Sequence, residues 1–178
     1  MKKIPTLFVR DKQDRRFVTR EVTPGCEWVI NGEGRATRKF DGTCVRFDGE
    51  RWWARREVKP GKTPPQDFQA EQTDNTTGKT VGWEPAEQSA FAKFIAEAVE
   101  REQRTVPGTY ELCGPRVNGN PEGFPHHVLI THGVEEMPAL PRDYDGLREK
   151  LANCKFEGAV WHHPDGRMVK IKRRDFGA

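Results

Sequence analysis

The sequence predicts an α+β fold of antiparallel β-sheets with packed helices. Two observations carry that expectation. Segments rich in β-branched and aromatic residues lie on both sides of one strongly periodic helical stretch, and the strand signals are joined by hairpin turns instead of the helical crossovers of a parallel sheet. The 178 residues suit a single domain spanning 1–178, long enough to bury most of the surface its unfolded chain exposes. Hydrophobic residues make up 34% and charged residues 32%, with 17 Gly and 13 Pro, so much of the chain is surface and turn. Ten Phe and five Trp supply the bulk for a packed core and exclude disorder.

The elements follow in order. Residues 16–22, 27–30, 38–47 and 51–58 mix apolar and polar residues as half-buried strands do, and Asp48-Gly49 between the last two predicts a hairpin. From Lys59 to Glu84 the chain turns to Pro, Gly, Thr, Gln and Asp and reads as a long loop. Pro85 suits a first helical turn, and Phe91, Phe94, Ile95, Ala98 and Val99 share one helical face. Strands are expected at 108–112 and 127–132, and a short helix around 147–151. Two closing strands, 158–161 and 168–171, flank the turn Pro164-Asp165-Gly166.

No apolar run is long enough to span a membrane, and no apolar stretch follows Lys2-Lys3 to make a secretory signal. A cytoplasmic protein is expected, with no membrane partner and no obligate protein partner. A net charge of +3 is compatible with nucleic-acid binding only if the basic residues gather on one face. Cys26, Cys44, Cys113 and Cys154 are too scattered for a zinc knuckle and read as reduced thiols, mostly in the core.

The chemistry-bearing residues begin with Lys39-Phe40-Asp41-Gly42-Thr43, a lysine beside an acid and a glycine that lets backbone approach a ligand. Downstream stand Glu111-Leu112-Cys113-Gly114, Glu157-Gly158-Ala159-Val160-Trp161 and Val169-Lys170-Ile171-Lys172. Lys170 and Lys172 alternate with Ile171, so both lysines share a strand face while Ile171 enters the core. By periodicity alone this also describes a solvated basic face.

In that order these segments resemble motifs I, III, IV and V of the covalent nucleotidyltransferases, the superfamily of ATP-dependent DNA ligases, RNA ligases and mRNA capping enzymes. Finer detail, from Lys39-Phe40-Asp41-Gly42-Thr43-Cys44, Trp53-Ala54-Arg55, Glu111-Leu112-Cys113-Gly114-Pro115, Val117-Asn118-Gly119-Asn120-Pro121 and His132-Gly133, resembles the small ATP-dependent 5′-to-3′ RNA ligase family of animals, bacteria and viruses. The resemblance implies a nucleotidyltransferase domain, that is, an ATP-grasp-like ligase adenylation domain. Only six residues follow Lys172, so no appended OB-fold is expected. It implies an ATP-dependent RNA ligase acting in RNA repair, which forms lysyl-AMP on Lys39 and joins RNA 5′-phosphate and 3′-hydroxyl ends.

The resemblance further implies nucleotide contacts from Asp41, Gly42, Arg55, Glu111, Lys170 and Lys172, and a Mg²⁺ or Mn²⁺ ligand at Glu157 that serves catalysis and not folding. Arg56 rivals Arg55. Trp161, Phe124 and Leu129 are candidates to stack on adenine. Of the histidines, His132 is expected nearest the nucleotide, and the pairs His126-His127 and His162-His163 are read as structural or RNA-facing. Arg38 stands where relatives often carry an acid that reads the base. The alternatives are a DNA nick ligase sharing the first step, or an inactive nucleic-acid-binding module of the same fold.

Overall fold

The computed structural model describes residues 2–103 and 106–177. In chain order its elements are β1 (Phe8–Arg10), β2 (Val18–Val22), α1 (Glu27–Ile30), β3 (Arg35–Lys39), β4 (Thr43–Phe47), β5 (Trp52–Val58), β6 (Gln69–Thr73) and β7 (Thr80–Pro85). There follow α2 (Ala92–Glu102), β8 (Gly108–Cys113), β9 (Val128–Thr131), α3 (Tyr144–Ala152), β10 (Gly158–His162) and β11 (Met168–Lys172). The strands within each sheet pair antiparallel, as the α+β expectation requires. Among the described residues no helix is long and apolar enough to cross a membrane.

The chain forms two compact units, and it passes from one to the other after Phe40 and back after His132. One unit, Ile4–Phe40 with the chain from Gly133 onward, carries a three-stranded sheet in the order β11-β10-β3 and the small β1-β2 ribbon. Its core joins Leu7, Phe8, Trp28, Val29, Leu147, Leu151, Trp161 and Ile171. Helix α3 contributes Leu147 and Leu151, one turn apart on one face, and starts at Asp143, whose carboxylate accepts the Gly146 N–H at 2.9 Å.

The other unit, Asp41–His132 with the N-terminal tip, carries a six-stranded sheet in the order β6-β7-β5-β4-β8-β9. The periodic face of α2 lays Ile95 and Ala98 against Val45, Ala54, Tyr110, Leu112 and Leu129. The opposite face of the sheet buries Cys44, Trp53 and Trp83. The Asp48-Gly49 hairpin joins β4 and β5: Asp48 Oδ1 accepts the Glu50 and Arg51 N–H groups at 2.9 Å, and Gly49 sits at φ +108°.

Four expectations are corrected. Residues 27–30 form a helical turn and not a strand, because Trp28 and Val29 are both buried and the Arg142 guanidinium donates to the Val29 carbonyl at 2.9 Å and to the Gly34 carbonyl beyond the turn at 2.8 Å. The expected strand 38–47 is cut at 40–42, where the Asp41 and Gly42 N–H groups are taken by carboxylates instead of a ladder. Within the expected loop 59–84 lie β6 and β7. Strand β6 sits at the sheet edge with mostly exposed side chains, so its polar composition resembles a loop's. Pro85 ends β7 in extended backbone and caps a single 3₁₀ turn, Ala86–Gln88, and α2 begins only at Ala92.

Candidate functional site

In the three-stranded unit, Gly158 of β10 stands opposite Lys39 of β3 on one side and Lys172 of β11 on the other. The next row on the same sheet face is Thr37, Val160 and Lys170. Three lysines therefore gather on one face, while Ile171 and Ala159 enter the core from the other. The glycine is required here, since a Cβ on Gly158 would lie 2.1 Å from the Ile171 carbonyl oxygen.

Glu157 precedes that glycine and is partly buried, its side chain only 8% exposed. One of its oxygens accepts from Lys39 Nζ at 2.5 Å and the other from Lys172 Nζ. Burial is the largest influence on Glu157 and would raise its pKa, but the charges and hydrogen bonds of Lys39 and Lys172 together outweigh it and hold the carboxyl below its usual range. For Lys170, burial and then the charges of Lys172 and Lys39 push the ammonium down to about 8. Glu157 and Asp175 offset this only in part. Among the described residues the Lys170 ammonium has no hydrogen-bond or ion-pair partner within the chain, while its backbone bonds Leu7 and Pro5, so its charge is available to an anion.

Arg38 lies on the opposite face of β3, paired in register with Ala159. Its guanidinium stands 4.3 Å over the Phe40 ring and 5.6 Å from that of Phe156, and forms an ion pair with Glu135 at 3.4 Å. The Arg38 side chain thus points away from the lysines. Trp161 is fully buried in the core and cannot offer a ring face to a base. His162 joins Thr37 Oγ1 at 3.0 Å, and His163 is held by Glu33 and Asp165.

In the six-stranded unit the Asp41-Gly42 turn is held by side chains. Gly42 N–H donates to Glu111 Oε1 at 3.1 Å and Asp41 N–H to Glu122 Oε1 at 2.9 Å. Asn118 Nδ2 donates to Asp41 Oδ1 at 3.0 Å and to the Gly42 carbonyl at 2.8 Å. A Cβ on Gly42 would meet the Leu112 carbonyl oxygen at 2.2 Å, so only glycine allows β4 and β8 to approach this closely. The second Glu111 oxygen is joined to His132 Nε2 at 2.8 Å, and His132 Nδ1 to Thr109 Oγ1 at 2.9 Å.

Trp53 pairs with Arg46, and Arg46 with Thr109. Two residues on from Trp53 and Thr109, Arg55 and Glu111 therefore share one sheet face. Arg56 lies on the other face, 3.8 Å from the buried Glu84, which favours Arg55 over its rival. Leu129 is in the core, leaving the half-buried Phe124 as the candidate with an accessible ring. His127 is buried, bonded to Glu97 at 2.9 Å and stacked on Phe94, a structural role. Asn118 and Glu122 had no role from the sequence. The signal was present in Asn118-Gly119-Asn120, whose three residues all adopt positive φ and so shape a tight loop.

Among the described residues no three His, Cys, Asp or Glu side chains converge on a metal position, and both Glu157 oxygens are occupied by ammonium groups. Glu157 is thus a single carboxylate. It suits a Mg²⁺ or Mn²⁺ ion that arrives on nucleotide phosphates and takes most of its ligands from them and from water, not a resident ion.

A partly buried lysine–glutamate–lysine bridge with a further lysine beside it is chemically suited to a phosphorylated ligand. Over residues 102–178 the chain matches the model of the RNA ligase 1 family. It is 38% identical to RNA ligase 1 of Danio rerio over 108 residues, 56% of this chain and 31% of that protein. It is also 38% identical to RNA ligase 1 of Pongo abelii and 37% to that of Rattus norvegicus, each over 78 residues, 39% of this chain and 24% of theirs. The chain thus matches less than a third of the length of these relatives. Glu111, Glu157, Lys170 and Lys172 lie inside the region of the family match, and Lys39, Asp41 and Arg55 lie before it.

Proposed function

We propose that the chain is an ATP-dependent RNA ligase of nucleotidyltransferase type that works through lysyl-AMP on Lys39, in RNA repair. The observation that carries this reading is the row Lys39–Gly158–Lys172 with Glu157 bridging both ammonium groups.

An amine attacks phosphorus only when neutral. In the resting protein the Lys39 ammonium is held by Glu157, with Lys172 competing for the same carboxylate. Once Lys39 gives up one proton to solvent, its neutral Nζ forms a bond to the α-phosphorus of ATP as the bond to pyrophosphate breaks, and the second proton lost from Nζ leaves with the pyrophosphate. Lys39 then carries no charge, and Glu157 keeps Lys172 as its partner. Lys170 and Lys172 stabilise the negative charge that develops on the transferred phosphate, the largest source of catalysis in such steps. Glu157 would hold a Mg²⁺ or Mn²⁺ ion arriving on the phosphates, which would supply further charge neutralisation.

In the second step an oxygen of the RNA 5′-phosphate attacks the same phosphorus and the P–N bond to Lys39 breaks. In the third, the 3′-hydroxyl attacks the 5′-phosphate, AMP leaves and the strand is sealed. Asp41, Gly42, Glu111 and Arg55 are the nucleotide-binding groups of the six-stranded unit on this reading. Incubation with labelled ATP, followed by denaturing electrophoresis and peptide mass spectrometry, tests it. An AMP adduct on Lys39 is expected, and an adduct that survives Lys39→Ala overturns the assignment of the nucleophile.

A further inference from the structure

We infer that Asn118 and Glu122 are positioning residues for the nucleotidyl transfer, holding the Asp41-Gly42 turn that follows the nucleophile in the chain. The inference rests on the lysyl-AMP reading and gives a role to a segment to which that reading assigns none.

Two backbone N–H groups and one carbonyl at the turn are satisfied by side chains, where a continuous strand would have used a ladder. Asn118 donates to both Asp41 Oδ1 and the Gly42 carbonyl. Both partners are acceptors, so the amide orientation is forced and an acid at 118 would face two oxygens. Glu122, four residues on, accepts the Asp41 N–H from the same loop. The clamp thus grips the turn at Asp41 and again at Gly42, with Glu111 completing it from β8.

The loop's own conformation supports this use. Asn118, Gly119 and Asn120 have φ of 49°, 76° and 58°. Asn120 closes the loop on itself, its Nδ2 donating to the Phe124 carbonyl and its Oδ1 accepting the Phe124 N–H, each at 3.0 Å. Asn118, in contrast, spends its donors on the turn. Because a turn displaced by an ångström costs about a hundredfold in a positioned reaction, a loosened Asp41 is expected to slow transfer more than it weakens ATP binding.

The test uses the full chain and the variants Asn118→Gly, Asn118→Asp and Glu122→Ala. Glycine accepts a positive φ without strain, so Asn118→Gly removes the carboxamide alone. Lysyl-AMP formation is measured against ATP concentration, with melting temperature and amide hydrogen exchange of the peptide containing Asp41 and Gly42. The expected result for Asn118→Gly is a rate at saturating ATP lower by about tenfold to a hundredfold and a KM changed far less. Exchange at the turn should quicken, while the melting temperature falls by only about 2–4 °C, the worth of one or two hydrogen bonds. Asn118→Asp is expected to be slower still. Variants that form the adduct at the wild-type rate overturn the inference alone. So does a rate loss fully explained by the unfolded fraction. Wild-type protein that forms no adduct overturns the lysyl-AMP reading and this inference with it.

Discussion

Lys170→Met should make the protein more stable at neutral pH while abolishing lysyl-AMP formation. Lys170 is half-buried beside two other lysines, and its pKa is lowered from 10.5 to about 8, first by burial and then by the charges of Lys172 and Lys39. That displacement corresponds to about 3 kcal/mol spent at pH 7 on keeping the ammonium charged in the folded state. The sign follows from proton counts. Between pH 8 and 10.5 the unfolded chain still holds the proton that the folded chain has released, so stability rises with pH across that window; below it the cost is constant. Methionine keeps an unbranched stem and removes the charge, so the variant should gain up to about 3 kcal/mol at pH 7, on the order of 5–10 °C in melting temperature for a chain of this size. Urea denaturation of both proteins from pH 7 to 10.5 is the assay. The gain should shrink toward zero by pH 10.5. A variant less stable than wild type at pH 7, or a difference independent of pH, would refute the reasoning.

Lys39→Ala and Lys39→Arg should both lose the adduct, the second because a guanidinium stays protonated; a labelled-ATP gel decides. Contrary to the expectation that Glu157 serves catalysis and not folding, Glu157→Ala should lower stability by about 3 kcal/mol, because it leaves two partly buried ammonium groups without their shared partner, and denaturant titration measures it. The stability Glu157 contributes should be present above its unfolded pKa near 4.5 and be lost as pH falls through its lower folded value. Gly42→Ala, which drives a methyl into the Leu112 carbonyl, should cost about 2 kcal/mol or more by overpacking and impair adduct formation. Sealing should favour RNA over all-DNA ends and weaken as salt rises, through counterion release; equal or faster sealing of DNA nicks across matched salt series would remove the RNA assignment and leave the nucleotidyl transfer standing.

What the sequence determined alone is local. Asp48-Gly49 specifies its hairpin because the turn's φ requirement and the alternation on both sides lie within a few residues. Helix α2 is legible because Ile95 and Ala98 repeat at the helical period, and the alternation of Lys170, Ile171 and Lys172 assigned the two lysines to one face without any partner strand. The motif residues could likewise be named by type and order. Tertiary structure decided the rest. No local pattern states which strand β3 pairs with, so only the ladder register sets Gly158 between Lys39 and Lys172 and turns Glu157 from a lone carboxylate into a bridge. Helix α1 depends on Arg142, more than a hundred residues away. The polar strand β6 exists because β7 offers it an edge. Arg38 is turned from the lysine face by the parity of its strand. In each case the deciding contact joins residues far apart in sequence, and hydrophobic periodicity specifies which face of a segment is buried without specifying against what.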